Sequence, residues 1–333
     1  MKKVKSIMLP MIGPISYYMS SKDGVVSAGL RVDDLKPIRD AELRVLRGDF
    51  SKTVEFYDSV DKSGPAFLSV ASLAVFGAIG LGDARFLDRI VEDIAAFPAR
   101  NPSPDATLGS EIAMASVFQC LRIRKGYPRC MTNLELETVP RPWRRQVCYL
   151  LVRMYQAQGE NLAAAAMSSV LLNLCEDGSR QSTGDIYLKL ARAMICRDEG
   201  QVEESEKWFR QVVMSIRADG IILPFLGMAM GPKSTVEHAL QDLAPELLPQ
   251  IKAKTKPYFR NLVRLHNHCT GEHITDLLSP REFYMARLLK TGRGYKEIAA
   301  LMNLAPGRVN VIVSCIYEKL GVHSRSELAD LLW

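Results

Sequence analysis

From about Asp40 to Arg217 the chain is one apolar helical pattern after another, each closed by a glycine followed by a polar residue. Gly48-Asp49, Gly82-Asp83, Gly159-Glu160 and Gly200-Gln201 are the clearest of these turns, with Lys125-Gly126 a weaker one. Glycine takes the left-handed conformation that ends a helix at little steric cost. Apolar residues recurring at helical spacing give each helix one face to bury. The four clear turns are separated by 34, 77 and 41 residues, which fits one or two helical hairpins per interval. A period near 34 is that of helix–turn–helix repeats, whose units bury their apolar faces only against their neighbours. The pattern predicts an all-α chain.

The best-formed unit runs from Gly184 to Arg217. Leu190, Ala193 and Ile195 share a face of its first helix, Gly200 turns the chain, and Ser205, Trp208, Phe209, Val212 and Val213 recur along the second. The small residues Ala193 and Ser205 let the two helices approach closely. This unit resembles a degenerate tetratricopeptide repeat, as do Val152–Leu171 around Gly159 and Ala41–Val60 around Gly48. The full consensus does not recur, so the expectation is an irregular α-solenoid of such hairpins. Phe97-Pro98 to Pro104 and Val139-Pro140-Arg141-Pro142 are expected to end helices, because proline lacks the N–H that continues one. Two or three further helices follow Arg217, interrupted at Gly231-Pro232 and Pro245, before a polar stretch from His266 to Thr275. The organisation expected is an N-terminal segment (1–39), a helical-repeat domain (40–265), a linker (266–277) and a C-terminal domain (278–333).

Composition sets the class. Of 333 residues 47% are hydrophobic and the net charge is only +6, a balance that excludes disorder as the main state. No uninterrupted apolar run approaches the roughly 20 residues of a spanning helix, so no membrane is expected. Lys2, Lys3 and Lys5 precede an apolar stretch from Ile7 to Met19, but Pro10, Gly13 and Pro14 break it and no small-x-small cleavage site follows. The seven cysteines are odd in number, widely spaced and without a C-x-x-C pair, which points to thiols in a reducing, cytoplasmic setting.

The last 56 residues carry the most specific signal. Leu278-Ser279-Pro280-Arg281-Glu282 opens a helix: Ser279 with Glu282 forms a capping box, and Pro280 sits at the first helical position. Ser324 with Glu327 forms a second box. Four short helices fit between, at about 280–291, 295–302, 306–320 and 324–332. The third puts Val309, Ile312, Val313, Ile316 and Leu320 on one face and Asn310, Val311, Ser314 and Glu318 on the other. Two helices joined by a short turn, the second with one free face, make a helix-turn-helix.

With Lys296-Glu297-Ile298-Ala299, Ile316-Tyr317-Glu318-Lys319-Leu320-Gly321-Val322 and Ser324-Arg325-Ser326-Glu327 added, Leu278–Leu328 resembles the LuxR/GerE-type helix-turn-helix domain without gaps. The resemblance implies that helix 306–320 enters the major groove of double-stranded DNA, with Asn310, Val311 and Ser314 at base-reading positions. It implies backbone contacts from Lys296, Arg308 and Lys319, and a dimer contact through the final helix. Where that family usually has Thr-Val-Lys-x-His, this chain has Arg308-Val309-Asn310-Val311-Ile312. Asn310 can pair bidentately with adenine but cannot neutralise a phosphate. Eight Lys+Arg against five Asp+Glu fall in 278–333, so half the net charge sits there.

Other chemistry is not expected. His266, His268, Cys269 and His273 have metal-ligand residue types without any usual ligand spacing. Gly227–Ser234 is a near miss to a phosphate-binding loop, but Pro232 stands where a backbone N–H is needed. Asp33-Asp34 lacks the alternating strands of a receiver domain. The reading is therefore not an enzyme, with no cofactor or metal. It is a transcriptional regulator whose helical-repeat domain responds to a small-molecule or protein effector and controls pairing of the C-terminal domains, as a homodimer on DNA. The alternative is a protein-interaction scaffold whose C-terminal module has left DNA.

Overall fold

The computed structural model describes residues 32–64, 66–123, 131, 137, 139, 141–158, 160–173, 183–226, 235–271, 278–320 and 322–331. Among the described residues all regular structure is helical, and no single helix is long and apolar enough to cross a membrane. The helices are α1 Val32–Leu46, α2 Thr53–Ser59, α3 Phe67–Leu81, α4 Ala84–Arg100, α5 Pro104–Cys120, α6 Arg141–Gln158, α7 Asn161–Asn173, α8 Thr183–Asp198 and α9 Val202–Ile216. There follow α10 Leu223–Leu226, α11 Thr235–Leu243, α12 Leu248–Thr270, α13 Pro280–Lys290, α14 Tyr295–Leu301, α15 Pro306–Leu320 and α16 Arg325–Leu331. The expected phosphate-loop near miss at Gly227–Ser234 and the turn at Lys125-Gly126 lie outside the described residues.

Hairpins form where the glycines place them. Gly48, Gly82 and Gly200 all take positive φ (71°, 67° and 77°). In the unit centred on Gly200, Ala193 and Ser205 are fully buried and Ser205 Oγ donates to Ala193 O at 2.9 Å, so the small pair brings α8 and α9 into close contact. Asp83 caps α4, its carboxylate accepting from Phe86 N–H.

Three expectations change. Pro98 does not stop α4, which runs on to Arg100. The carbonyl of Ile94 loses its helical donor to the proline ring, and Ser110 Oγ from α5 supplies one instead at 2.6 Å. The first helix begins at Val32, inside the segment 1–39 expected to precede the domain. His266 to Thr270, expected as linker, complete α12, with His266 1% exposed and Gly271 turning the chain at φ 71°.

The order of helices is not that of an open array. α3 is apolar on nearly every side, and twelve of its fifteen residues are buried among α1, α2, α4, α5 and α12. α12, almost 200 residues downstream, closes the region back onto its start. Lys254 Nζ donates to Gly48 O (2.6 Å), Asn261 Nδ2 to Gly80 O (3.1 Å) and Arg264 to Gly82 O. His266 Nδ1, 2.8 Å from Leu121 O, must carry the proton to donate there. Repeat units that touch only their neighbours have no such ties.

Gly82 is where turn and closure meet. A Cβ there would strike Arg264 and lie 2.7 Å from Asn261 Oδ1, and its φ disfavours any L side chain. Gly82→Ala is expected to cost about 2–3 kcal/mol, combining left-handed strain with displacement of the α12 contacts. Urea unfolding checks this; a loss under about 0.5 kcal/mol would mean that α12 is not seated on the turn.

Candidate nucleic-acid interface

The C-terminal module is built from its caps inward. Ser279 Oγ accepts from Glu282 N–H (3.3 Å) while Glu282 Oε2 accepts from Ser279 N–H (2.8 Å), closing the expected capping box. At α16, Ser324 Oγ accepts from Glu327 N–H (3.2 Å) but the Glu327 carboxylate reaches His323 N–H rather than that of Ser324. Glu297 closes α14 in the same way onto Gly294 N–H (2.7 Å), a cap without a serine to announce it. Between α14 and α15 Asn303 takes φ 53°, and the chain bends by 104°. Asparagine tolerates the left-handed region better than other side chains, and the bend lies in the range of about 90–120° found for helix-turn-helix pairs.

Burial sorts α15 into two faces. Val309, Val313 and Ile316 are 3% exposed or less and pack with Leu288, Leu289, Ile298 and Leu328. Asn310, Val311 and Ser314 are exposed on the other face, Val311 by 54%, with Glu318 further along. This exposed face thus combines an amide, a hydroxyl and a half-exposed aliphatic side chain. Arg308 is exposed one residue before the buried Val309, and Lys296 is exposed at the start of α14 beside exposed Tyr295. Lys319 is engaged elsewhere. Its Nζ donates to both Glu282 oxygens (2.8 and 2.9 Å), pinning the end of α15 to the start of α13. Burial alone would favour neutral Glu282, but Lys319 and Ser279 outweigh it and hold the carboxyl below its usual 4.5.

Nothing local in the sequence announces how the module is held. Phe259 and Val263 of α12 belong to the same apolar cluster as the module's own core, with the Phe259 and Phe283 rings 6.3 Å apart. The Arg122 guanidinium stands 5.5 and 5.4 Å from those two ring centroids, from a backbone position at φ 62°. Tyr284 donates to Asp198 Oδ1 (3.1 Å) and lies under Arg197 (4.5 Å to the ring centroid), while Arg293 reaches Glu199 at 3.8 Å. The contacts of Arg122, Tyr284 and Arg293 join residues 86 or more positions apart, beyond any periodicity, so sequence patterns could not show them. Cutting the chain at the expected linker would strip Phe259 and Val263 from the module's core.

The histidines diverge. His266 serves Leu121 O and His268 Nε2 lies 2.8 Å from Asp88, so the two do not converge on one point; His273 lies outside the described residues. Cys120, Cys148, Cys196, Cys269 and Cys315 are each unpaired.

Residues 276–332 match the family described as bacterial regulatory proteins, luxR family (GerE). The four-helix module is a LuxR-type helix-turn-helix domain, and it supports a DNA-binding transcriptional regulator of that type. No curated protein and no solved structure matches the chain.

Proposed function

We propose that this chain is a sequence-specific regulator that reads duplex DNA through the free face of α15, with an effector or partner bound by the helical region controlling how two C-terminal modules pair. The observation that carries the reading is the split of α15. Its buried stripe fixes the helix against α13 and α14, while the Asn310, Val311 and Ser314 side chains stand in solvent. Those three are the base-reading residues in this reading. Lys296 and Arg308, both exposed, approach the phosphates; Lys319 contributes through Glu282 by setting the tilt of α15, and reaches a phosphate only if that clasp opens. Two copies on an inverted repeat would place their recognition helices about one helical turn apart. In this reading the protein is cytoplasmic and is not an enzyme. The tetratricopeptide-like hairpins α6–α7 and α8–α9 are the part of the helical region that would offer a surface to an effector.

Selection from random duplexes with the full chain tests this. An enriched inverted repeat, with affinity that falls as salt rises, is expected. If no sequence is enriched at any salt, the module has left DNA and the interaction-scaffold reading replaces this one. Lys296→Ala should weaken all duplexes alike and reduce the slope of log K against log salt by about one, as for one lost phosphate contact. An unchanged slope in a binding-competent variant would remove Lys296 from the interface.

A further inference from the structure

The outer face of α1 forms one wall of an open groove. α1 turns Ile38, Ala41, Val45 and Leu46 inward, and its buried carboxylate, Glu42, lies on that inner side within electrostatic reach of Tyr187. Lys36, Asp40, Leu43, Arg44 and Arg47 share the opposite side at helical spacing. With Pro37, and with Phe56 from α2, they line a groove of about 600 Å³. From Lys36 to Arg47 it follows about 16 Å of helix. Lys36, Asp40 and Arg47 are exposed, while Leu43, Arg44 and Phe56 are half-buried and form the floor. Between Arg44 and Phe56 the groove meets a smaller recess lined by Val45, Val70, Leu73 and Thr53. That recess holds only about 10 Å³, room for no more than a water or the tip of one side chain. Thr53 is 6% exposed, and its hydroxyl has no hydrogen-bond partner.

The groove's chemistry selects its occupant. Its lining carries three cations and one carboxylate, Asp40, which stands four residues from both Lys36 and Arg44. Arg47 Nε donates to Asp219 O (2.7 Å), which orients that guanidinium at one end. Asp49, which lies within electrostatic reach of Arg44, already accepts from the Ser51 N–H and hydroxyl at 3.1 and 2.7 Å. The surplus is positive, so the complementary partner is acidic. A nucleic-acid backbone, anionic throughout, meets Asp40 in the middle of the face and an apolar floor it cannot use. A small ligand in so open a groove stays largely in water, whereas buried sites enclose most of theirs. The 31 residues ahead of α1 carry five Lys+Arg against one Asp, so the chain's own N-terminal segment has the wrong sign. A helix that sets apolar anchors into a groove and charges along its rim fits the length, the floor and the charge together.

We propose that this face of α1 and α2 docks an acidic amphipathic helix of another protein, its apolar side chains on Leu43 and Phe56 and its carboxylates opposite Lys36, Arg44 and Arg47. The docking itself does not depend on the DNA-binding reading; only a role in controlling the C-terminal modules rests on it.

The test is selection of displayed random peptides of about 16 residues, long enough for the three turns the groove spans, on the full chain without DNA. Fluorescence anisotropy of the enriched peptide then measures affinity. Enriched sequences are expected to combine Asp and Glu with apolar residues at helical spacing, and to bind at about 100 μM or tighter, more weakly as salt rises. Arg44→Glu should weaken the selected peptide by about tenfold or more, and Asp40→Asn should tighten it by about twofold to threefold. A misfolded variant would not gain affinity, so the second substitution guards the first. No enrichment, enriched peptides without acidic residues, unchanged binding by Arg44→Glu or weaker binding by Asp40→Asn overturns the proposal. Displacement of the peptide by a random-sequence duplex would make the face a nucleic-acid contact, and self-association abolished by Arg44→Glu would make the occupant a second copy; either overturns it too. Because no duplex is needed for peptide binding, a failed DNA selection with intact peptide binding overturns only the regulator, and the converse result only the docking face.

Discussion

Phe283→Ala lowers the stability of the chain by about 3–5 kcal/mol, the largest effect expected of any single change in the C-terminal module. The ring is 2% exposed and belongs to the cluster that joins Leu278, Leu289 and Leu328 to Phe259 and Val263. Its removal therefore opens a cavity against both the module's helices and α12. Neither side collapses easily onto the gap, because Leu289 O is tied to Arg325 Nε and α12 is tied to Gly80 and Gly82. The truncation also uncovers one face of the Arg122 guanidinium. Urea unfolding followed by far-ultraviolet circular dichroism measures the loss. A double-mutant cycle with Phe259→Ala should return a coupling of about 0.5–1.5 kcal/mol, the usual worth of a facing ring pair. A loss below about 1 kcal/mol, or additivity with Phe259→Ala, would mean that the module's core stops short of α12.

Asn310→Ala costs about 1–3 kcal/mol in binding to the selected half-site and removes the preference for adenine at one position, about a fivefold or greater change in discrimination. The amide is exposed and projects from the face of α15 opposite Val309 and Val313, so the substitution leaves the fold untouched. The measurement is competition among duplexes that differ only at that base pair. Unchanged base preference in the variant would sink Asn310 as a reader. Restoring the lysine usual in LuxR-type domains, by Asn310→Lys, adds a cation and should instead strengthen binding to all duplexes and steepen the salt dependence.

Three of the four helices of the C-terminal module are legible from residues alone because their starts are marked by their own chemistry. Ser279 with Glu282, Pro280 and Pro306, and Ser324 with Glu327 mark helix ends within one residue of where they fall. The two faces of α15 follow from period alone. Gly48, Gly82 and Gly200 likewise announce their turns, since a helix reversal needs a left-handed residue whatever the surrounding fold. These are local properties, carried by residues three or four apart.

What the local pattern could not carry is everything that depends on a distant partner. Pro98 reads as a stop until Ser110, on the next helix, supplies the donor its ring removes. The stretch from His266 reads as a polar linker until Leu121 O, 145 residues earlier, accepts from its imidazole and the helix is seen to continue. That Lys319 is paired with Glu282, 37 residues earlier, likewise shows only in three dimensions. The amino-acid sequence by itself thus determined the helical class, the turns and the buried and exposed faces of α15. Only the tertiary structure decided that α12 closes the helical region onto α3, that Phe259 completes the module's core, and that Asp198 is shared by Tyr284 and Arg197. Helix ends and amphipathic faces are set by neighbours along the chain, whereas burial and charge pairing are set by neighbours in space.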